Sequence, residues 1–216
     1  MISLVVPIRD EPEGWWENFA PVAPDFEIVV VDGSARPSVP AAIRGRVLAL
    51  PGTSRGARLA AGASAAAGDV LFFLHGDSRP PADAKARIED AVARGAAAGC
   101  FRLAYRDATP ATRWIAACAN LRTRRLRLPF GDQGIFCTRA AYAEAGGFRD
   151  LPVCDDVDFV RRLRRNPRFA VLDACCAASS RRYRGRAVRQ ILVNARVLAG
   201  YFAGISPETL ERWYRG

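Results

Sequence analysis

Four short stretches end an apolar run or open a helix with side chains able to hold or move charge. The first, VLFFLHGDSRP at residues 70–80, runs from Val70 to Leu74 and stops at His75, Gly76 and Asp77. A carboxylate at the end of a buried strand can hold Mg2+ or Mn2+ against a diphosphate, because magnesium usually takes one or two protein carboxylates and leaves its other positions to phosphate and water. His75 could add a nitrogen ligand to a manganese site, orient Asp77, or serve the packing of the fold. The second stretch, PVCDDVDF (152–159), opens a helix with Asp155, Asp156 and Asp158. Acids in a first turn suit the helix dipole. Adjacent carboxylates in a closed site also raise one another's pKa toward the range a general base needs. Both readings stand.

The third stretch, VVVDGSARP (29–37), places Asp32 where it could accept from a ribose hydroxyl or a base edge, with Gly33 allowing close backbone approach; Asp-Gly is equally a turn. The fourth, GTSRGARL (52–59), sets Arg55, Gly56 and Arg58 at a helix start, where amide groups and two guanidinium forks suit a phosphate. It is not a P-loop, because Lys-Ser/Thr after the second glycine is missing. No G-x-G-x-x-G follows the first apolar run, which argues against a nicotinamide cofactor, and no G-x-S-x-G elbow points to a serine hydrolase.

Alternation of short β-rich runs with alanine-rich stretches predicts βαβ units and a mainly parallel sheet. Strands are expected at 2–7, 26–31, 46–50 and 69–74, with helices near 12–20, 53–67 and 82–94. Beyond residue 95 the pattern predicts a strand at 97–105 and a helix at 110–126, then the glycine-rich FGDQGIFC at 130–137. A helix near 155–165, a strand near 169–173 and a basic helix from about 186 complete the map. The expected organisation is one domain over 1–216, with a nucleotide-binding half (1–95) and an acceptor half (96–216).

The 216 residues suffice for a full core. Formal charge is +10, nearly all of it arginine, since Lys85 is the one lysine. Clusters at 122–127, 161–168 and 181–189 invite anionic partners or form solvated basic faces. Six cysteines without C-x-x-C spacing, beside a single histidine, disfavour a zinc site and suggest reduced thiols in a cytoplasmic protein. The segment 190–205, QILVNARVLAGYFAGI, is broken by Asn194 and Arg196, so it reads as a packed helix rather than a span, with a membrane-surface or homodimer role left open.

Taken in order, SLVVPIRDE, VVVDGSA, SRGARLAAGASAAAGDVLFFLHGDSRPP, GCFRLAY, GDQGIFCTRAAYAEAGGFRDLPVCDDVDFVRRLRR and the C-terminal SSRRYRGRAVRQILVNARVLAGYFAGISPETLERWY resemble family-two glycosyltransferases of GT-A fold. The bacterial branch called radical-SAM/selenodomain-associated transferase 2 is the most similar. The resemblance covers nearly the whole chain and implies an inverting, metal-assisted transfer of sugar from a nucleotide-diphosphate donor to an acceptor hydroxyl. It implies that Pro7, Arg9 and Glu11 border the nucleotide-sugar, that Asp32 meets the nucleoside, and that Arg55 and Arg58 lie at the donor. Asp77, with His75, would hold Mg2+ or Mn2+. Asp132 and Gln133 would line the space between donor and acceptor, and Arg181 or Arg182 would meet the diphosphate. The Asp155-Asp156 pair falls on the family's E-D pair, with Asp156 as the base. Two departures are visible: His75 stands where the wider superfamily often has an aspartate, and Asp155 replaces a glutamate. A full Q-x-x-R-W element is absent, which disfavours a processive synthase. The expected acceptor is small, whether phosphorylated or not. The rival readings are a nucleotidyltransferase, which lacks its glycine- and lysine-rich signature here, and a basic nucleic-acid-binding protein, which lacks interleaved stacking aromatics.

Overall fold

A computed structural model describes all residues except 37, 38, 41, 42, 44 and 216. Seven strands form one mixed sheet, β1 (Ile2–Ile8), β2 (Glu27–Asp32), β3 (Arg46–Ala49), β4 (Val70–Phe73), β5 (Ala98–Tyr105), β6 (Ile135–Thr138) and β7 (Phe169–Ala178), in the order β3-β2-β1-β4-β6-β5-β7. The β1–β2, β1–β4, β2–β3 and β5–β7 pairs are parallel, whereas β6 runs antiparallel to both β4 and β5. The sheet therefore joins strands from both halves of the sequence.

Alternation along the central strands sends side chains to two separate cores. Val5, Val29, Val31, Leu71 and Phe73 pack on one face under α1 (Arg55–Ala65), α4 (Arg139–Glu144) and α5 (Asp155–Leu163). Leu4, Val6, Ile28, Val30 and Phe72 pack on the other with Ile88 of α2 (Ala84–Ala93). A third, smaller cluster seats α3 (Pro110–Leu126) on Leu103 and Tyr105. The chain ends in α6 (Ala187–Phe202) and α7 (Pro207–Arg215). No helix among the described residues is long and apolar enough to cross a membrane.

The helix expected over 12–20 does not form. Gly14 adopts φ +77° and Pro21 lacks an amide hydrogen, so the segment is limited to single 3-10 turns, Trp15–Asn18 and Ala23–Asp25, pinned by buried Trp15, Phe19, Val22 and Phe26. The glycine-rich 130–137 segment becomes a 3-10 turn, Gly131–Gln133, followed by β6. The strand expected near 169–173 continues to Ala178 because it pairs with the full length of β5 across an irregularity between Cys100 and Arg102.

Candidate active site

β1 has β2 on one side and β4 on the other, so the chain reverses its lateral progress between them and leaves a crevice beyond the carboxyl ends of the two strands. A cavity of about 610 Å3 opens there. Its walls bring together Pro7, Arg9 and Glu11 from the end of β1, Arg55 and Arg58 from α1, His75 and Asp77 after β4, Asp132 before β6, Asp155 and Asp156 opening α5, and Arg181 and Arg182 after β7. Residues up to 175 positions apart in sequence thus meet because six strand ends or helix starts face one opening.

Arg55 organises the cavity floor. Its Nε and Nη2 donate to the Asp155 carboxylate at 2.7–3.2 Å, its Nη2 also lies 3.4 Å from Asp156 Oδ2, and its Nη1 lies 3.2 Å from His75 Nε2. Ser54 caps the helix behind it by accepting from the Ala57 amide at 3.0 Å. The start of α1 approaches the start of α5 and the loop before it because residue 56 is glycine: a Cβ there would stand 2.1 Å from the Arg149 carbonyl oxygen and 3.2 Å from Asp155 Cβ. Burial pushes the Asp155 carboxyl up and Arg55 opposes it; the bidentate geometry and the raised pKa of Arg55 keep the pair ionic. Arg55, expected at a phosphate, lines the cavity and is the counterion of the acidic pair.

Asp156 is held on both oxygens. Oδ2 accepts from the Gly131 amide at 2.8 Å and Oδ1 from the Val157 amide at 2.8 Å. Burial pushes its carboxyl up, but Arg55 and these amides outweigh that and hold it below the usual carboxylate range. Gly131 is required for the contact, since a Cβ would meet His75 Nε2 at 2.4 Å and Asp156 Oδ2 at 3.3 Å. Immediately before the pair, Cys154 takes a left-handed φ of +59°, a strained conformation for a residue other than glycine that turns the chain into α5. Asp158, the third acid, belongs to the scaffold: it pairs with Arg162 at 2.6 Å and accepts from Tyr201 Oη at 3.0 Å.

Asp132 differs. Its Oδ1 is buried with no hydrogen-bond partner among the described residues, and burial, then the Asp156 charge, push its carboxyl up to about 6. An unpartnered carboxylate facing a cavity is poised for a donor brought by a ligand.

The loop after β4 is fixed from outside the sheet. Asn18 Nδ2 donates to the Gly76 carbonyl at 2.8 Å, Arg106 reaches the Asp77 carbonyl at 3.3 Å, and residues 79 and 177 form an isolated antiparallel bridge. Asp77 projects into the cavity with its Oδ2 3.7 Å from Arg181, which also donates to Glu11 at 2.9 Å. One carboxylate facing a diphosphate-sized space is a donor set that fits Mg2+ or Mn2+ completed by phosphate and water. No cluster of three or more metal-binding side chains occurs among the described residues. His75 does not fit a ligand role through Nε2. Arginine can only donate, so Nε2 must accept from Arg55, and burial, reinforced by Arg55, pushes the ring down to about 4, which keeps it neutral.

Two expected residues, Asp32 and Gln133, do not line the cavity, whereas Arg58 does. Asp32 is buried at the end of β2, where its Oδ1 accepts from the Ser34 amide at 2.8 Å. Arg58 lies against Gly33, in a space that any Cβ at position 33 would close. Gln133 is fully buried and ties the turn to its surroundings, accepting from Thr123 Oγ1 at 2.9 Å and donating to the Phe101 carbonyl at 3.2 Å. Sequence reasoning missed Tyr105, Tyr183 and Tyr214, which also border the cavity. Tyr105 ends a strand beside the glycine-rich turn and stacks edge-on with Tyr183 at 5.6 Å. The position of Tyr105 at a strand end was the available signal; Tyr183 and Tyr214 had none.

No family model matches the sequence, and no curated protein sequence does. Solved structures do. Residues 1–349 of TarS from S. aureus share 16% identity at a TM-score of 0.65, covering 83% of this chain, which spans 60% of theirs. Glucosyl-3-phosphoglycerate synthase from Mycobacterium tuberculosis shares 18% identity at a TM-score of 0.59, covering 89% of this chain and 76% of that one. A mannosyltransferase from Pyrobaculum calidifontis shares 17% identity at a TM-score of 0.59, covering 89% and 61%. Together with the strand order and the crevice at the reversal point, these likenesses establish that the chain has the GT-A fold.

Proposed function

We propose that the chain is an inverting glycosyltransferase of the family-two type, in the radical-SAM/selenodomain-associated transferase 2 branch, moving a sugar from a nucleotide-diphosphate donor to an acceptor hydroxyl. The observation that carries this reading is the convergence of Asp77, Asp132, Asp156 and Arg181 on one cavity at the reversal point of the sheet. It is supported by neighbours of the same fold solved with UDP-GlcNAc, with UDP, Mn2+ and phosphoglyceric acid, and with GDP-Man and Mn2+.

Asp77 would hold Mg2+ or Mn2+ together with the donor diphosphate, and the ion would neutralise charge on the departing group. Arg181 and Arg182 stand beside it to meet the same phosphates, and Glu11 fixes Arg181 at 2.9 Å. Asp32 would meet the nucleoside once Arg58 yields, with Pro7 and Arg9 beside it. In the reaction the acceptor oxygen attacks the anomeric carbon, the bond from that carbon to the diphosphate breaks, and the hydroxyl proton passes to a carboxylate. Asp156 is our assignment for that base, with Asp155 and Arg55 holding it in place. Because Asp156 sits below the usual carboxylate range, it stays ionised throughout the neutral range and is always ready to accept.

A specific observation favours a second candidate for the same step. Asp132 has an unpartnered buried oxygen and a pKa of about 6, nearer the optimum for a base at neutrality. The pH profile of kcat/KM separates them: an acidic limb near pH 6 assigns the proton to Asp132, and a rate flat down to pH 5 assigns it to Asp156. The reading as a whole is tested by incubating the protein and Mn2+ with a panel of nucleotide-sugars and identifying the nucleotide released. Nucleoside diphosphate, lost in Asp77→Ala, sustains it. Pyrophosphate, formed from a nucleoside triphosphate and a sugar phosphate, would make the protein a nucleotidyltransferase.

A further inference from the structure

A second hollow, of about 390 Å3, adjoins the cavity and shares Arg181, Arg182, Gln190, Tyr214 and Arg215 with it. Arg184, Arg186 and Arg189 complete a wall of six arginines, and no acidic side chain lines it. Some of these cations are neutralised from behind: Arg181 by Glu11 at 2.9 Å, Arg184 by Asp107 at 2.7 Å, and Arg215 by Glu211. Arg182 donates to an uncharged group, Tyr214 Oη, at 2.7 Å. The Arg186 guanidinium has no side-chain partner among the described residues.

Another arginine-rich hollow shows what a structural explanation looks like. Around residues 126–165, Arg127 donates to the Pro167 carbonyl at 3.1 Å and Arg164 to the Leu126 carbonyl, so these guanidinium groups terminate backbone in the turn before β7 and at the end of α3. In the 181–189 group, Arg186 terminates no backbone and meets no side-chain partner among the described residues. Like charges gathered around one concavity repel each other, and an anion placed among them relieves that repulsion while accepting from several planar forks at once. The cavity beside it is matched in charge, with Arg9, Arg55, Arg58, Arg181, Arg182 and Arg215 standing against Glu11, Asp77, Asp132, Asp155, Asp156 and Glu211, so the surplus of positive charge lies in the hollow.

We propose that the acceptor carries an anionic group, a phosphate or its equivalent, and that this group sits on Arg186 and Arg189 in the hollow between the 181–189 segment, α6 and α7, while the acceptor hydroxyl reaches the cavity. The proposal rests on the glycosyl-transfer reading and names the acceptor class that reading leaves open. The anion is either part of a soluble molecule or a lipid headgroup; α6 also exposes Val188 and Leu192.

The test uses the full chain, inorganic phosphate as the probe, and titration calorimetry with and without a saturating nucleoside diphosphate and Mn2+. Phosphate is expected to bind in the presence of the nucleotide. The Arg186→Ala/Arg189→Ala variant should weaken phosphate by about tenfold or more and leave nucleotide binding unchanged. Arg124→Ala/Arg125→Ala, which removes the same charge from exposed α3, should leave phosphate binding intact. Phosphate displaced by the nucleotide, or bound equally by the 186/189 variant, overturns the proposal. Co-sedimentation with phosphatidylcholine vesicles containing phosphatidylglycerol distinguishes the sources. Binding lost in the 186/189 variant alone identifies a headgroup; saturable phosphate binding without vesicle binding identifies a soluble acceptor. If no nucleotide binds yet phosphate still depends on Arg186 and Arg189, the donor reading fails and the acceptor role falls with it, leaving an anion site of another kind.

Discussion

Two carboxylates share one cavity and live under opposite conditions. Asp156, at the start of α5, has an amide hydrogen bond on each oxygen and a guanidinium beside it, and is held ionised below the usual range. Asp132, on the turn before β6, keeps a buried oxygen without a partner among the described residues and is pushed up to about 6. The first is fixed by the fold and the second is open to the cavity. A site that must both position a charge and respond to one has a use for each.

The comparison can be broken most forcefully at Asp156. Asp156→Asn should keep the fold, because an amide oxygen can still accept from Gly131, and should lower turnover by roughly 10²–10⁴-fold if the side chain takes the proton. Full turnover in this variant removes it as the base. Arg55→Ala should strand two buried acids without their counterion and cost about 3–5 kcal/mol of stability, read as a fall in the urea midpoint. An unchanged midpoint would mean that the acidic pair does not depend on Arg55.

Asp132→Asn should have the opposite sign on stability. The folded carboxyl keeps its proton up to about pH 6 while the unfolded one releases it near the ordinary 3.8, so the folded state binds more protons in between. Wild-type stability therefore falls as pH rises from about 4 to 6 and stays reduced above. The variant should lose that fall and gain Tm at pH 7, at about 2–4 °C for each kcal/mol recovered, while losing activity. A variant both less stable and fully active would show that the unpartnered oxygen has no functional reason. The smallest effect is expected at Cys154→Gly. Relief of the left-handed backbone and loss of a partly buried side chain oppose each other, so Tm should move by no more than a few degrees.

Much of this arrangement was legible in the sequence because strand ends announce themselves. An apolar run that stops at an acid placed Asp77 at the cavity, and the acid-rich start of α5 placed Asp155 and Asp156. What stayed hidden depends on side-chain direction. Nothing in GDQG says that Asp132 faces the cavity while its neighbour Gln133 turns inward to Thr123 and Phe101. Nor could spacing reveal that Arg55 pairs with Asp155, 100 positions away. The 12–20 segment misled for a local reason: its apolar spacing suits a helix, but Gly14 and Pro21 limit it to single turns.

The most direct test of the central claim is calorimetric titration of the wild-type chain and Asp77→Ala with UDP and GDP, each with and without Mn2+. At least one nucleoside diphosphate should bind, Mn2+ should tighten it, and Asp77→Ala should abolish the tightening without unfolding the protein. Failure of both nucleotides to bind, or equal binding with and without Mn2+ in both proteins, would contradict the claim.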